Sequence, residues 1–131
     1  MAKKGKIYRC SICGNIVEVL HEGSGTLVCC GKDMEELVER KTDEGQEKHV
    51  PVISIEGNTA KVSIGDIPHP MEETHYIEFI QLLIDDTVQT RYLKPGDTPE
   101  AIFKLPDSYT NISAREYCNI HGIWISLTKN L

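Results

Sequence analysis

Cysteine and histidine are the residues of this chain whose types and spacing point most directly to chemistry. There are five of each among 131 residues. The cysteines are Cys10, Cys13, Cys29, Cys30 and Cys118, and the histidines are His21, His49, His69, His75 and His121. The chain starts with charged residues and no apolar stretch follows, so we expect a cytoplasmic protein without a signal peptide. In that compartment thiols stay reduced, which favours metal binding or catalysis over disulfides.

Four of the cysteines have the spacing of a metal site. Cys10-x2-Cys13 is followed by fifteen residues and then by the adjacent pair Cys29 and Cys30. Four thiolates in a tetrahedron suit Zn²⁺ or a single iron. Because neighbouring Cα atoms lie about 3.8 Å apart, we expect the sulfur–metal–sulfur angle at the adjacent pair to depart from the tetrahedral value. The residues alone leave open a structural zinc knuckle or a vicinal disulfide.

The remaining ligand types all fall at strand ends or in loops of the second part of the chain. They are His49, His69, His75, Cys118 and His121. A lone histidine is more often an ordinary surface or core residue, but loops at the ends of a sandwich cluster functional groups. Four imidazoles and one thiolate suit iron and leave one of six positions open, which indicates reactivity rather than a structural role. His21 lies beside a turn and is predicted to be solvated.

The charge balance limits the possible partners. Lys plus Arg is 14 and Asp plus Glu is 20, so the net charge is -6. An acidic chain without basic runs argues against nucleic-acid binding, and no apolar run approaches the roughly 20 residues of a membrane helix. An anionic substrate would be repelled unless a local positive group attracts it, and Lys48, next to His49, is the candidate.

The elements that must position these residues divide the chain into three parts. Residues 1–38 form one small unit, in which short strands at 16–20 and 26–28 around a Gly-rich turn predict a hairpin. A unit of this size usually needs a metal, disulfides or oligomerisation in order to fold. Residues 39–48 are almost wholly polar and predict a solvated linker.

Residues 49–131 consist of short β-type runs separated by turn residues. The runs are Val50–Ile55, Thr59–Ile64, Tyr76–Ile84, Thr87–Leu93, Ala101–Leu105, Ile112–Cys118 and Ile123–Thr128. They predict an all-β fold with an antiparallel sandwich. Tyr76–Ile84 also fits a helical period, and its length and flanking Asp residues favour a strand. In the last run Ile123, Ile125 and Leu127 are predicted to share one face.

Five short motifs, in order and with compatible spacing, resemble desulfoferrodoxin, the two-iron form of superoxide reductase. They are Tyr8–Asn15, Leu27–Gly31, Glu47–Pro51, His69–Met71 with His75–Ile77, and Glu116–Gly122. The resemblance spans essentially the whole chain. It implies a desulforedoxin-like domain at 1–38, with one iron on four cysteines, and an immunoglobulin-like sandwich at 49–131. The second iron is implied to have four imidazole ligands and one thiolate ligand. The preference for iron over zinc at the first site rests mainly on this resemblance.

The resemblance also implies residue roles and a reaction. His49, His69, His75 and His121 are equatorial ligands, and Cys118 is axial, opposite an open position. Lys48 steers superoxide and orders a proton-donating water, while Glu47 is a carboxylate ligand of the ferric resting iron. The family reaction is one-electron reduction of superoxide to hydrogen peroxide without release of oxygen. A rubredoxin-type electron donor, a homodimer and a cytoplasmic location are implied as well.

Two other functional classes remain open from the residues. In one, the four-thiolate site is structural zinc and the sandwich binds a partner. In the other, the chain is an electron carrier that uses only the first iron. Metal content and the visible spectrum separate these possibilities from the enzyme, because only the enzyme requires two differently ligated irons.

Overall fold

The protein is described here by a computed structural model that covers residues 2–41, 49–65 and 70–126, with the backbone of residues 129 and 130. The regular elements in these ranges are all β-strands, which confirms the predicted all-β class. Within the described residues there is no helix with the length and apolar character needed to cross a membrane. The chain divides into two compact units, Met1–Val38 and Glu39–Leu131.

The first unit contains five short strands. They are β1 (Ile7–Arg9), β2 (Ile16–Glu18), β3 (Val28–Cys29), β4 (Lys32–Asp33) and β5 (Glu35–Glu36). β1 lies between β2 and β5 in an antiparallel sheet, and β3 pairs with β4 as a separate hairpin. A small buried cluster of Ala2, Tyr8 and Val19 forms its apolar centre. So little buried apolar surface is consistent with a unit that depends on a bound metal.

The predicted hairpin between residues 16–20 and 26–28 was wrong. β2 pairs with β1, and β3 pairs with β4. The reversal occurs at the cysteine knuckle instead, where the Cys10 N–H donates to the Asn15 carbonyl at 2.8 Å and the Gly14 N–H donates to the Cys10 carbonyl at 2.9 Å. Gly14 has a φ of 84°, a conformation that glycine adopts without strain. The knuckle is therefore also the turn of the β1–β2 hairpin.

The second unit is a sandwich of two antiparallel sheets. Its strands are β6 (Pro51–Glu56), β7 (Thr59–Ile64), β8 (Ile77–Ile84), β9 (Thr87–Tyr92), β10 (Glu100–Lys104), β11 (Asn111–Cys118), β12 (Gly122–Ile125) and β13 (Lys129–Asn130). One sheet has the order β10-β7-β6 and the other β12-β11-β8-β9, with β13 also paired to β11. This division of strands is typical of an immunoglobulin-like fold. The predicted sandwich is confirmed, and its seven predicted runs correspond to β6 through β12.

The core of this unit lies between the two sheets. Val62 of β7, Ile80 and Leu82 of β8 and Ile112 of β11 have no exposed surface, and Phe103 of β10 packs with them. Burying side chains of this size contributes roughly 1.5–3 kcal/mol each. The core is continuous to the end of β11, where Cys118 belongs to the same buried cluster.

A β-bulge in β8 explains why its sequence also fits a helix. Tyr117 pairs with Phe79, but the next residue, Cys118, pairs with Ile77, so one residue of β8 has no opposite partner. Ile77 and Ile80 are consequently both buried although they are three positions apart. Ile77, Ile80 and Ile84 thereby imitate the spacing of a helical face. Bulges are frequent beside functional sites, and this one lies next to Cys118.

The edge of β12 is covered by the start of the predicted linker. The Arg40 N–H donates to the Ile123 carbonyl at 3.1 Å, and the Ile125 N–H donates to the Arg40 carbonyl at 2.8 Å. Ile123 and Trp124 are both buried, although side chains of successive strand residues point to opposite faces. Of the predicted alternating run, Leu127 and Thr128 lie outside the described residues.

Candidate metal centres

The four cysteines of the first unit converge from two tight turns. Cys10 and Cys13 lie on the β1–β2 turn, Cys29 ends β3, and Cys30 lies in the β3–β4 turn. One ligand atom from each lies within 4.8 Å of the others. Cys10 is buried, whereas Cys13 and Cys30 are exposed. Two separate hairpins thus supply two thiols each to one point near the surface.

The adjacent position of Cys29 and Cys30 follows from the type of turn. Cys29 pairs with Lys32, which leaves Cys30 and Gly31 as a two-residue loop. Their φ values are 54° and 72°, the pattern of a type I′ turn, whose twist matches that of the flanking strands. The left-handed backbone at Cys30 directs its side chain differently from that of a strand residue. The two neighbouring thiols can therefore face the same point.

The sulfur spacing fits a tetrahedral metal. Metal–sulfur bonds of about 2.3 Å in a tetrahedron place the sulfur atoms about 3.8 Å apart. Cys29 Sγ lies 3.5 Å from Cys13 Sγ and 3.9 Å from Cys30 Sγ. The Cys29–Cys30 sulfur separation is therefore close to the tetrahedral value, although the two residues are neighbours. The expected departure of the sulfur–metal–sulfur angle stays a prediction.

Hydrogen bonding makes this group of thiols ready to bind a cation. The Cys13 N–H donates to Cys10 Sγ at 3.4 Å and lowers the pKa of Cys10 to about 6. Hydrogen bonds with the other thiols, that of Cys13 foremost, raise the pKa of Cys30 to about 12. The pKa values of Cys10 and Cys30 are thus shifted in opposite directions. A soft cation binds such a group because thiolates are its preferred ligands.

A second cluster lies at one end of the sandwich. His49 precedes β6, His75 precedes β8, Cys118 ends β11, and His121 lies in the loop between β11 and β12. Ligand atoms of these four residues lie within 4.8 Å of one another. Because β8 and β11 are antiparallel, the start of one strand meets the end of the other. The fold therefore brings together residues that are up to 72 positions apart in the chain.

The distances in this cluster suit a metal with ligands at right angles. Metal–imidazole bonds of about 2.1 Å at a right angle place two nitrogens about 3.0 Å apart, and His49 Nε2 lies 3.0 Å from His121 Nδ1. Cys118 Sγ is 3.7 Å from the same Nδ1. The rings of His75 and His121 are 5.0 Å apart and inclined by 63°. Imidazoles that meet edge to face can direct their nitrogens to one point.

Burial controls the thiol of this cluster. Cys118 has no exposed surface, and desolvation raises its pKa. Without a cation the group is therefore a neutral thiol, and a bound metal stabilises the thiolate. His49 is also buried, whereas His121 is exposed. The cluster thus has a dry side and a side that faces solvent.

Trp124 supports the cluster and was not predicted to do so. Its ring stacks on His49 with centroids 4.9 Å apart and planes inclined by 17°. The Arg40 guanidinium lies 5.4 Å from the centroid of the same indole ring. Nothing in the sequence indicated this role, because Trp124 is simply one residue of the predicted strand Ile123–Thr128.

Three of the predicted site residues cannot be compared with this geometry. Glu47, Lys48 and His69 lie outside the described residues. The other predicted ligands fall into the two clusters described above, four cysteines in one and three histidines with Cys118 in the other. His21 belongs to neither cluster of described residues, and it is exposed.

Comparison with known proteins agrees with this architecture. Residues 41–127 match the desulfoferrodoxin family model, and residues 2–37 match the model of the desulfoferrodoxin N-terminal domain. The desulfoferrodoxin homolog of Archaeoglobus fulgidus is 52% identical over 126 residues, or 96% of this chain and 99% of the relative. Desulforedoxin from Megalodesulfovibrio gigas is 62% identical over 34 residues, or 26% of this chain and 92% of the relative. The superoxide reductase structure from Treponema pallidum superposes with a TM-score of 0.77 at 25% identity, covering 95% of this chain and 98% of that chain.

The fold and the two clusters define a non-haem metalloprotein with oxidoreductase activity, related in structure to the superoxide reductases. The chain belongs to the desulfoferrodoxin family. It has two iron centres, one at the four-cysteine cluster and one at the histidine–cysteine cluster.

Proposed function

We propose that this chain catalyses the one-electron reduction of superoxide to hydrogen peroxide without releasing oxygen. In this reaction one superoxide anion takes up one electron and two protons. The observation that carries the proposal is the convergence of three imidazoles and one thiolate at one end of the sandwich. It is supported by the structural relationship to superoxide reductases.

The second iron is proposed to be held by four imidazoles and one thiolate. The described geometry supports four of these ligands, namely His49, His75, Cys118 and His121, and His69 is added from the sequence. When bound, this iron in its ferrous form supplies the electron. The Cys118 thiolate would hold this iron and would donate electron density to it.

Charged residues before His49 are proposed to guide the substrate. The chain has a net charge of -6, which repels a small anion at long range. Lys48 would attract superoxide locally and order a water that donates a proton. Glu47 would act as a carboxylate ligand in the ferric resting state. Lys48 directly precedes His49 and Glu47 lies two positions before it. Because the imidazole of His49 lies in the cluster, these positions support both roles.

The first iron and the organisation of the chain complete the proposal. Cys10, Cys13, Cys29 and Cys30 would hold this iron in a desulforedoxin-like domain of residues 1–38. Residues 39–48 would link it to the catalytic sandwich of residues 49–131. The division into two compact units after Val38 supports that boundary. Electrons would come from a rubredoxin-type donor, and the protein would act as a homodimer in the cytoplasm.

A pulse of superoxide given to the anaerobically reduced protein tests the reaction. Reduction yields one hydrogen peroxide for each superoxide consumed and no oxygen. Dismutation yields half as much peroxide together with oxygen, and that result would contradict the proposal. The same chain left fully oxidised is the control, because it has no electron to donate.

The two alternative functions are separated by further measurements. Iron analysis before the experiment distinguishes the enzyme from a zinc-binding module. A chain that holds two irons but does not consume superoxide would be an electron carrier.

A further inference from the structure

Asn119 lies between Cys118 and His121 in the chain, and it forms hydrogen bonds with the residues on both sides of His75. Asn119 Oδ1 accepts from the Tyr76 N–H at 2.9 Å, and Asn119 Nδ2 donates to the Thr74 carbonyl at 3.1 Å. The Asn119 N–H donates to the Tyr76 carbonyl at 3.2 Å. These three bonds engage the residues on both sides of His75.

The loop that carries His75 is closed locally. The Glu72 N–H donates to the His75 carbonyl at 2.9 Å, and the His75 N–H donates to the Glu72 carbonyl at 3.0 Å. These two bonds define the shape of the turn but not its distance from Cys118. The β8–β11 ladder ends at the pair of Ile77 and Cys118. The bonds of Asn119 continue the connection between the two segments beyond that point.

We propose that Asn119 is a positioning residue that holds His75 at the correct distance from Cys118 and His121. The inference rests on the proposed function only in taking this cluster as the second iron site. Asn119 directly follows Cys118 and precedes His121 by two residues, so one short segment carries two ligands and the clamp for a third. Loss of a hydrogen bond that orients a metal ligand directly typically lowers metal affinity 10–100-fold. We expect an effect of similar size here, because the bonds of Asn119 fix the backbone on both sides of His75.

The test is metal retention in the iron-loaded full chain. Asn119→Ala removes both side-chain bonds, and we expect metal to leave the histidine–cysteine centre at about 10–100-fold lower chelator concentration. The absorption bands of the four-cysteine centre in the same chain should not change, and they serve as an internal reference. Asn119→Ser keeps a polar side chain that is too short to reach both partners, so it should lose the metal as well. It replaces the alanine variant if that variant does not fold.

Asp85 offers a matched control at the opposite end of β11. Its Oδ1 accepts from the Asn111 N–H at 2.9 Å and from the Thr110 N–H at 3.1 Å, so Asp85→Ala removes a similar side-chain clamp. We expect this variant to lower the melting temperature but to keep the metal at both centres. Wild-type retention in the Asn119 variants, or equal metal loss in Asp85→Ala, would overturn the proposal. Superoxide turnover is measured separately, so its absence in the wild type would contradict the proposed function and not this inference.

Discussion

The cysteine ligands of the two centres have opposite surroundings. In the first cluster, Cys13 and Cys30 are exposed and a backbone N–H lowers the pKa of Cys10. In the second cluster, Cys118 is fully buried and desolvation raises its pKa. A buried thiolate is stable only beside a cation. Its charge is therefore directed to the metal rather than to solvent, which suits a reactive centre.

Replacement of Cys118 tests this role. Cys118→Ser has a hydroxyl that stays neutral where the thiolate was, so we expect turnover of superoxide to be abolished. The thiolate-to-iron charge-transfer band of the second centre should disappear from the visible spectrum. The bands of the four-cysteine centre provide the reference for protein concentration and folding. Retained activity in this variant would refute the role of the thiolate.

Electrostatic steering by Lys48 is a second prediction at the residue scale. Lys48→Ala should slow the bimolecular reaction with superoxide about tenfold. It should also flatten the dependence of the rate on ionic strength, because salt screens exposed charges over about 8 Å at 0.15 M. Lys61→Ala is a matched control, since Lys61 is a partly exposed lysine that pairs with Glu100 at 3.2 Å. An unchanged salt dependence in Lys48→Ala, or the same change in both variants, would count against steering.

At the scale of elements, tight turns and one bulge determine where the ligands point. The type I′ turn at Cys30 and Gly31 lets adjacent cysteines face one metal. The bulge in β8 shifts the alternation of side chains just before the strand meets Cys118. Both features are small departures from regular strands. The turn contains one of the cysteines, and the bulge lies beside the pair of Ile77 and Cys118, so the local backbone helps to place these side chains.

The turn of the first unit can be tested at Gly31. A Cβ added there would meet no atom within 4 Å, but the residue has a φ of 72°. Gly31→Ala should therefore destabilise the unit by about 1 kcal/mol through backbone strain alone. The change in stability is measured in a denaturant titration, by the denaturant concentration at which the absorption bands of the four-cysteine centre are lost. Gly23→Ala is the control, because Gly23 has equally open space without a left-handed φ, and an equal effect of both variants would contradict the explanation.

The whole molecule consists of two compact units, and each unit contains one cluster of side chains that can hold a metal ion. The ligands of each cluster come from within one unit, so the two sites should tolerate damage independently. Cys13→Ser should disturb the bands of the first centre while a prereduced second centre still reduces superoxide. Stopped-flow measurement of superoxide decay with the reduced variant tests this. If this variant lost superoxide reduction as well as the bands of the first centre, the two centres would be coupled.

Much of this architecture was predictable from the chain alone. Strand-forming runs separated by turn residues predicted a sandwich, because the sheet period and turn chemistry are local properties. The residue types that bind soft and borderline metals predicted two ligand sets, and the described members of each set lie close together. The pairing of β2 was not predictable in the same way. The Gly-rich segment at 22–25 resembled a hairpin turn. The turn that joins β1 to β2 is instead closed by the hydrogen bond from the Cys10 N–H to the Asn15 carbonyl.

Residue order and chemistry alone therefore predicted the candidate ligands and determined which kind of fold presents them. Tertiary structure decided which distant residues meet. His49 and His121 are brought to 3.0 Å by the packing of two sheets, and the supporting contacts of Trp124 and Asn119 depend on the same strand ends. Such distances depend on sheet register and on a single bulge. Both arise from the summed packing of many residues, which no local pattern encodes.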